Sequence, residues 1–464
     1  MLDEASLAQL NYPTAPLMKT EVPGPRTQEW LARAFEVESM ARGAGRFPIV
    51  FAGGRGSTVQ DVDGNILIDM AAGVAVSSVG RVHPRVVEAM KSQIDELMHA
   101  ADLSSVRRTE LAERVAAVMP PGLRDNCITY FAQSGSSAIE TALKFIKTIT
   151  GRSQIIAFHG AYHGVHTWAG SMTTGDRYHQ GNVHVPDVIH VPYPYGYRCP
   201  FGSTSQAESE ERCADYLDYV MNTPYTGADD VAAVFLEPIQ GEGGYIAPSP
   251  RFFERVKQIC EKHGALYVSD EVQAGAGRGG GTLWVIEQSS VEPDALIWGK
   301  GMGGDVPMAG CTFRKDLAAK VGDGTHPNTF AANGVNAVVT MTNLDILTED
   351  KGALLDRVTQ VGQETIDYLR AQAEQTRLIG DVRGRGLMIG IELVADKATK
   401  EPLDEETVGA LVGSLLQKGI ILVPCGRYGT VLRLMPPLTI TRELLRTGCD
   451  ALLESVREIE KGRP

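Results

Sequence analysis

The 464-residue sequence predicts an α/β fold: a mostly parallel central sheet with helices on both faces, followed by a smaller α+β C-terminal domain. Three observations predict it. Short, continuously apolar runs recur between Cys127 and Trp298, and such runs suit strands buried on both faces. Segments of helical apolar spacing lie between them, which is the rhythm of βαβ units. After about Thr340 the pattern changes to long helices and a strand pair around Gly390 and Val431.

The first forty residues are mixed and carry Pro13, Pro16, Pro23 and Pro25, as expected of an arm lying on the body. Val59 to Asp69 reads as a hairpin turning at Asp63-Gly-Asn. Pro84 to Leu97 and Arg108 to Val118 have helical spacing. Cys127 to Ala132 reads as a strand leading into a helix from about Ser137 to Ile149. Ile155 to Phe158, Val231 to Leu236, Ala265 to Ser269 and Ala295 to Trp298 are the buried strands, and Pro250 to His263 is an amphipathic helix between two of them. The expected organisation is an arm and hairpin over residues 1–75 packing on the small domain, a large domain over 76–340, and the small domain over 341–464.

With 57 acidic and 44 basic residues the net charge is −13, which argues against nucleic acid or an anionic membrane as partner. No apolar run approaches the roughly 18 residues of a membrane span, and Met1 to Lys19 lacks the pattern of a signal peptide. The seven cysteines are scattered, odd in number and free of CxxC pairs, which favours a reduced, cytoplasmic setting.

Four local motifs sit at strand ends, where open α/β sheets place ligands. Ser134-Gly-Ser-Ser137 joins a strand to a helix, with capping-box spacing from Ser137 to Glu140. Free N–H groups at a helix start suit a phosphate; an ordinary capped helix is the plainer alternative. Ser269-Asp-Glu-Val-Gln273 puts an acid where it can reach a ligand. The glycines Gly275, Gly277 and Gly280 spell GxGxxG, but the β-branched and aromatic Thr282 to Ile286 follows where a dinucleotide site needs a helix. Ile297-Trp-Gly-Lys300-Gly leads an apolar run into a lysine, and a desolvated lysine is a nucleophilic amine. His159, His163 and His166 have a spacing reminiscent of metal ligands, yet glycines interrupt any helix there and no carboxylate or cysteine completes a set, so no metal site is expected.

An amine for a Schiff base, an acid for a pyridinium nitrogen and a helix start for a phosphate are together the needs of pyridoxal 5′-phosphate (PLP). The chain also resembles the class III (omega-type) aminotransferases of PLP fold type I, from about Gly43 to the end. The motifs carrying the resemblance are, in order, Ser134-Gly-Ser, Tyr162-His-Gly, Glu237-Pro-Ile-Gln-Gly-Glu-Gly, Asp270-Glu-Val-Gln, Gly299-Lys-Gly, Asn328-Thr-Phe and Val382-Arg-Gly-Arg-Gly-Leu. The resemblance implies that Lys300 holds the cofactor and moves the proton, and that Asp270 pairs with the ring nitrogen. It implies Gln273 near the phenolic oxygen, Tyr162 on the ring face, and Ser134, Gly135 and Ser136 about the phosphate. It implies Thr329 reaching that phosphate from the neighbouring subunit of a homodimer. Arg383 would bind a substrate carboxylate, and Glu242 would neutralise Arg383 when that carboxylate is absent. Glu237 is expected to be structural.

Departures from the family pattern shape the substrate expectation. Val165 stands where many members acting on 4-aminobutyrate or acetylornithine have arginine. Ala274, Ala276 and Gly279 are small, and Asp305 adds an acid to the lysine loop. These predict transamination of a primary amine, on a bulky, polar or cationic molecule such as an amino sugar or diamine, to an α-keto acid. The alternatives are a broad ω-amino-acid transaminase of the 4-aminobutyrate type, a racemase or epimerase on the same scaffold, and a non-catalytic relative. The pairing of Lys300 with Asp270 argues against the last.

Overall fold

A computed structural model of the chain describes residues 3–39, 41, 47–181 and 184–462; Gly43, where the resemblance begins, lies outside them. The central sheet has seven strands: β4 (Cys127–Ala132), β5 (Gln154–Phe158), β6 (Val188–Val191), β7 (Val231–Leu236), β8 (Leu266–Asp270), β9 (Ala295–Trp298) and β10 (Ala309–Arg314). Their order is β4-β10-β9-β8-β7-β5-β6, with β10 antiparallel to both neighbours and β5 to β9 mutually parallel.

Why these runs are apolar throughout is plain from their alternation. Ile155 and Ala157 of β5, Phe235 of β7 and Ile297 of β9 enter one core with Ile139, Leu143 and Ile146 of the helix Gly135–Thr150. Their neighbours Ile156, Phe158, Val234, Leu236, Leu296 and Trp298 enter the opposite core, with Phe252, Phe253 and Val256 of the helix Pro250–His263. A strand with both faces covered needs apolar residues at every position. Gly310 is the exception forced by packing: it faces Trp298 across the antiparallel pair, and a Cβ there would lie 2.5 Å from the indole Cζ2.

The hairpin read at Val59–Asp69 is present as β2 (Thr58–Asp61) and β3 (Ile66–Asp69), extended by β1 (Phe51–Arg55). β3 also pairs in parallel with β14 (Ile420–Ile421), so the N-terminal strands are stitched to the C-terminal part of the chain. That part holds an antiparallel sheet of β11 (Ile379–Arg385), β12 (Met388–Asp396), β16 (Val431–Leu434) and β15 (Val423–Cys425), with β13 (Glu401–Pro402) on β12. The strands read around Gly390 and Val431 are direct neighbours, Gly390 opposite Arg433 and Glu392 opposite Val431. One helical stretch, Gly334–Ala373, leads out of the large sheet and is broken at Glu349 to Gly352, where three successive residues have positive φ.

Arg278 lies in a glycine-rich loop between the two parts. It is fully buried, and its Nη1 donates to the carbonyls of Leu387 at 3.0 Å and Pro436 at 2.9 Å.

Candidate active site

The C-terminal ends of β4, β5, β7, β8 and β9 deliver the sequence-predicted residues to one place, as expected for an open parallel sheet. After β4 the helix starts at Gly135, two residues earlier than its apolar spacing suggests. Ser134 is the cap: its Oγ accepts the Ser137 N–H at 3.1 Å, and Ser137 Oγ accepts the Ser134 N–H at 3.0 Å. The capping box expected between Ser137 and Glu140 therefore does not form. Glu140 instead caps the next helix, Thr167–Met172, taking the N–H groups of Trp168 and Ala169 at 2.8 and 2.9 Å. The N–H groups of Gly135 and Ser136 make no hydrogen bond among the described residues, which leaves an anion-ready helix start. A Cβ at Gly135 would lie 2.9 Å from Val272 Cγ1, and one at Gly164 2.6 Å from Ser136 Cβ. Ser136 Oγ accepts the N–H groups of Val165 and His166 at 3.3 and 3.2 Å, which fixes the loop after Tyr162 against the helix start.

Asp270 ends β8. Its Oδ1 accepts the Val272 N–H at 3.0 Å, and its Oδ2 lies 2.6 Å from Nδ1 of His163. Sequence reasoning weighed His163 only as a metal ligand. The structure makes it the partner of Asp270, and its place beside Tyr162 in the Tyr-His-Gly motif was the available signal. Burial works to lower the His163 pKa, but the adjacent Asp270 carboxylate outweighs it and the pKa is raised. Glu237, beyond β7, accepts the N–H groups of Tyr162 and Gly241 at 2.9 Å each, and burial raises its pKa. Tyr162, half-buried, stands edge-on to Tyr178 with ring centroids 4.9 Å apart.

Lys300 follows β9 in a tight turn, with φ +40° and its carbonyl accepting the Gly304 N–H at 2.8 Å. Desolvation lowers its pKa, with the Glu242 carboxylate opposing and Arg433 reinforcing. Gln273 is buried above Gly241, and its Oε1 has no partner among the described residues.

The expected pairing of Glu242 with Arg383 is corrected by the structure. Arg383 is spent elsewhere: its Nε donates to the Gly244 carbonyl at 2.8 Å, its Nη1 to Asp381 at 2.9 Å and its Nη2 to Glu392 at 2.8 Å. Glu242 pairs instead with Arg433 of β16 through Oε1, and its Oε2 accepts from Arg177 at 3.0 Å and Tyr178 at 3.1 Å. A buried arginine inside the apolar run Val431-Leu-Arg-Leu434 was the overlooked sign.

The residues expected to widen the pocket do not. Ala274 and Ala276 are buried within the hydrophobic cores, and Gly279 is buried with Val285 packed on it, where a Cβ would lie 2.4 Å from Val285 Cγ2. Asp305 is exposed and accepts a hydrogen bond from Ser77. Thr329 is exposed, its carbonyl 2.8 Å from His99 Nε2, and no hydrogen bond joins it to Ser134, Gly135 or Ser136 among the described residues.

An amine of lowered basicity, a carboxylate fixed at both oxygens, an unpaired buried amide oxygen and a helix start with free N–H groups fit the PLP group: Lys300, Asp270, Gln273 and the Gly135–Ser136 turn could hold its aldehyde carbon, ring nitrogen, phenolic oxygen and phosphate. Comparison with known proteins agrees. The family model of class III aminotransferases matches residues 39–456. The 4-aminobutyrate aminotransferase GabT of Escherichia coli is 35% identical, over 91% of this chain and 97% of that protein. An alanine/serine racemase of Pyrococcus horikoshii is 34% identical, over 97% of this chain and 94% of that protein. Among solved structures, an amine transaminase from an uncultivated Pseudomonas species in its PLP-bound form superposes with a TM-score of 0.82 at 28% identity, over 88% of this chain and 95% of that one. The chain belongs to the class III aminotransferases and is a PLP-dependent transaminase of fold type I.

Proposed function

We propose that the chain moves a primary amine between a carboxylate-bearing amine and an α-keto acid in two half-reactions, with Arg433 rather than Arg383 binding the shared carboxylate. The observation that carries this reading is the Glu242–Arg433 pair beside Lys300. Arg433 keeps only 4% of its side-chain surface exposed and Glu242 12%, so an incoming carboxylate can replace the glutamate on a guanidinium already in place. A planar fork binding two carboxylate oxygens gives both energy and orientation.

PLP, when bound, supplies the electrophilic carbon and the electron sink. The residues supply the rest. Lys300, its basicity lowered by desolvation, is the base that holds and returns the substrate proton. Asp270 presents a fixed negative charge to the ring nitrogen, with His163 orienting it. Gly135 and Ser136 donate to the phosphate. Thr329 serves the same phosphate from a second copy of the chain. Leu97, Met98, Leu103, Val106 and Phe330 support that homodimer as large, exposed apolar side chains, Phe330 retaining 60% of its surface. With the small residues packed away and Asp305 outside, a bulky cationic donor has less support than an ω-amino acid. Relatives named for 4-aminobutyrate and 5-aminovalerate, at 35% and 34% identity, point the same way.

The test is single-turnover spectroscopy of the holoenzyme with 4-aminobutyrate, 5-aminovalerate and a diamine, without keto acid. Accumulation of the pyridoxamine form, abolished by Lys300→Ala, supports transamination. A second reading, racemisation, draws on the racemase similarity over 97% of the chain. It calls for inversion of alanine or serine, with deuterium taken up from solvent and no pyridoxamine form.

A further inference from the structure

Glu237 reads as structural in the sequence, yet the sheet sets it beside Asp270. β7 and β8 are parallel, with Phe235 opposite Val268 and Leu236 opposite Ser269. The next residues on the two strands, Glu237 and Asp270, are therefore level with each other. Side chains two apart on a strand share a face, and adjacent strands lie about 4.8 Å apart. Phe235 and Val268 enter one core, so the two acids that follow leave that same face side by side. The His163 ring stands against this face, its centroid 6.0 Å from that of Phe235. Glu237, Asp270 and His163 are all buried.

The hydrogen bonds of this group are incomplete in one place. His163 Nδ1 is taken by Asp270 Oδ2, while Nε2, closed off from solvent, has no partner among the described residues. Each Glu237 oxygen accepts one backbone N–H, Oε1 from Tyr162 and Oε2 from Gly241. Those bonds fix the carboxyl group and leave each oxygen a second lone pair. The Asp270 and Glu237 charges both raise the proton affinity of His163. On Glu237 the imidazole favours the anion, and the neighbouring Asp270 favours the acid. A like charge at close range disfavours a second ionised carboxylate. The other titratable groups nearby are Lys300, whose amine senses both carboxylates, and His190, Tyr193 and Glu271, which burial biases toward their neutral forms.

We propose that Glu237 is a positioning residue: it and His163 hold one proton in common, and by keeping that proton between them they leave Asp270 as the anion that faces the ring nitrogen. The proton passes between His163 Nε2 and the Glu237 carboxyl group. With the proton on the imidazole, Glu237 is the anion. With the proton on Glu237, the imidazole is neutral and still donates from Nδ1 to Asp270. No other bond changes. This rests on the reading of Asp270 as the partner of the ring nitrogen.

The experiment is NMR of the full-length holoenzyme with isotope-labelled histidine rings and glutamate carboxyl groups, followed as pH is varied. Signals are assigned by their loss in His163→Phe and Glu237→Asp. His163 Nε2 and the Glu237 carboxyl carbon are expected to change through the same pH steps, as coupled groups do. Independent single steps in the wild type overturn the proposal, whatever the variants do. Glu237→Gln is expected to lower the pH at which His163 loses its second proton by about one pH unit, a tenfold loss of proton affinity. Glu237→Asp is expected to keep part of that affinity. A His163 titration unmoved in folded Glu237→Gln overturns the proposal too. Glu237→Gln is also expected to shift the pH at which the cofactor band changes, and to lose that effect when His163→Phe is already present. An effect that persists there overturns the proposal. Asp270→Asn separates the two readings: if the cofactor band keeps its wild-type pH dependence, Asp270 is not the ring partner, while the common steps of His163 and Glu237 still decide the shared proton.

Discussion

His163 Nδ1 and Asp270 Oδ2 lie 2.6 Å apart, both side chains closed off from solvent. The imidazole holds the carboxylate from one side and the Val272 N–H from the other, so Asp270 has little freedom to turn away from a ring nitrogen placed before it. A charge pre-set where electrons flow is worth about 3–4 kcal/mol in a transition state.

Asp270→Asn is therefore expected to lower kcat on the order of a hundredfold or more. His163→Phe, which frees the carboxylate without removing its charge, is expected to lose less and to shift the pH at which the cofactor band changes. Stopped-flow half-reactions and spectral titration measure both. An Asp270→Asn enzyme within about threefold of wild type would take Asp270 out of the chemistry.

The two arginines separate by assay. Arg433→Gln is expected to raise KM for the keto acid while the protein stays folded. Arg383→Gln takes one of two guanidiniums from the buried Glu392, which keeps Arg198 at 3.0 Å, and losing a hydrogen bond to a charged group typically costs about 1.5–3 kcal/mol. Its signature is a lowered Tm with substrate affinity less affected. Reversed signatures would restore Arg383 as the carboxylate anchor.

Glu271 gives a pH prediction. It is fully buried, with Oε1 accepting the Ile286 N–H at 2.8 Å and Oε2 without a partner among the described residues. Burial raises its pKa from 4.5 to about 8. The folded state therefore holds this proton more tightly than the unfolded chain. The contribution is fully present below about pH 4.5 and is lost as pH rises through about 8, at a cost on the order of a few kcal/mol. Glu271→Gln removes the titration, so its Tm relative to wild type is expected to be higher at pH 9 than at pH 5. Parallel Tm curves for the two proteins would contradict the assignment.

Thr329 is tested by mixing subunits. Hybrids of Lys300→Ala with Thr329→Val should contain one doubly damaged site and one intact site, and so recover activity over either parent. Proven subunit exchange without recovery would place the contact within one chain.

Much of this was written locally. Ala295 to Trp298 and Pro250 to His263 have the bounds their residues suggest, because burial on both faces and amphipathic spacing are properties of neighbours in sequence. Lys300 stood out for the same reason, a charge at the end of an apolar run. Pairings across the fold were not legible. Glu242 meets Arg433 only because β16 lies beside β12, and nothing near Glu242 in sequence favours Arg433 over Arg383. Gly279 looked like open space, since the side chain that fills it, Val285, comes from beyond a turn. Ser134 and Ser137 both suit a cap, and the backbone at Ser134, extended at φ −148°, decided between them.

The left-handed backbone at Lys300 sets durability against reactivity in a single residue. An L-residue pays roughly 1–2 kcal/mol for that conformation where glycine does not, and the ammonium adds a desolvation cost of its own. Heat-resistance screens run on the cofactor-free chain would accordingly reward glycine at this position and return sturdier but inert proteins. Engineering for thermal endurance has to be scored on turnover, or on the cofactor-loaded form, in which, on the proposed reading, a bond from Lys300 to the cofactor would offset what the bare fold gives up.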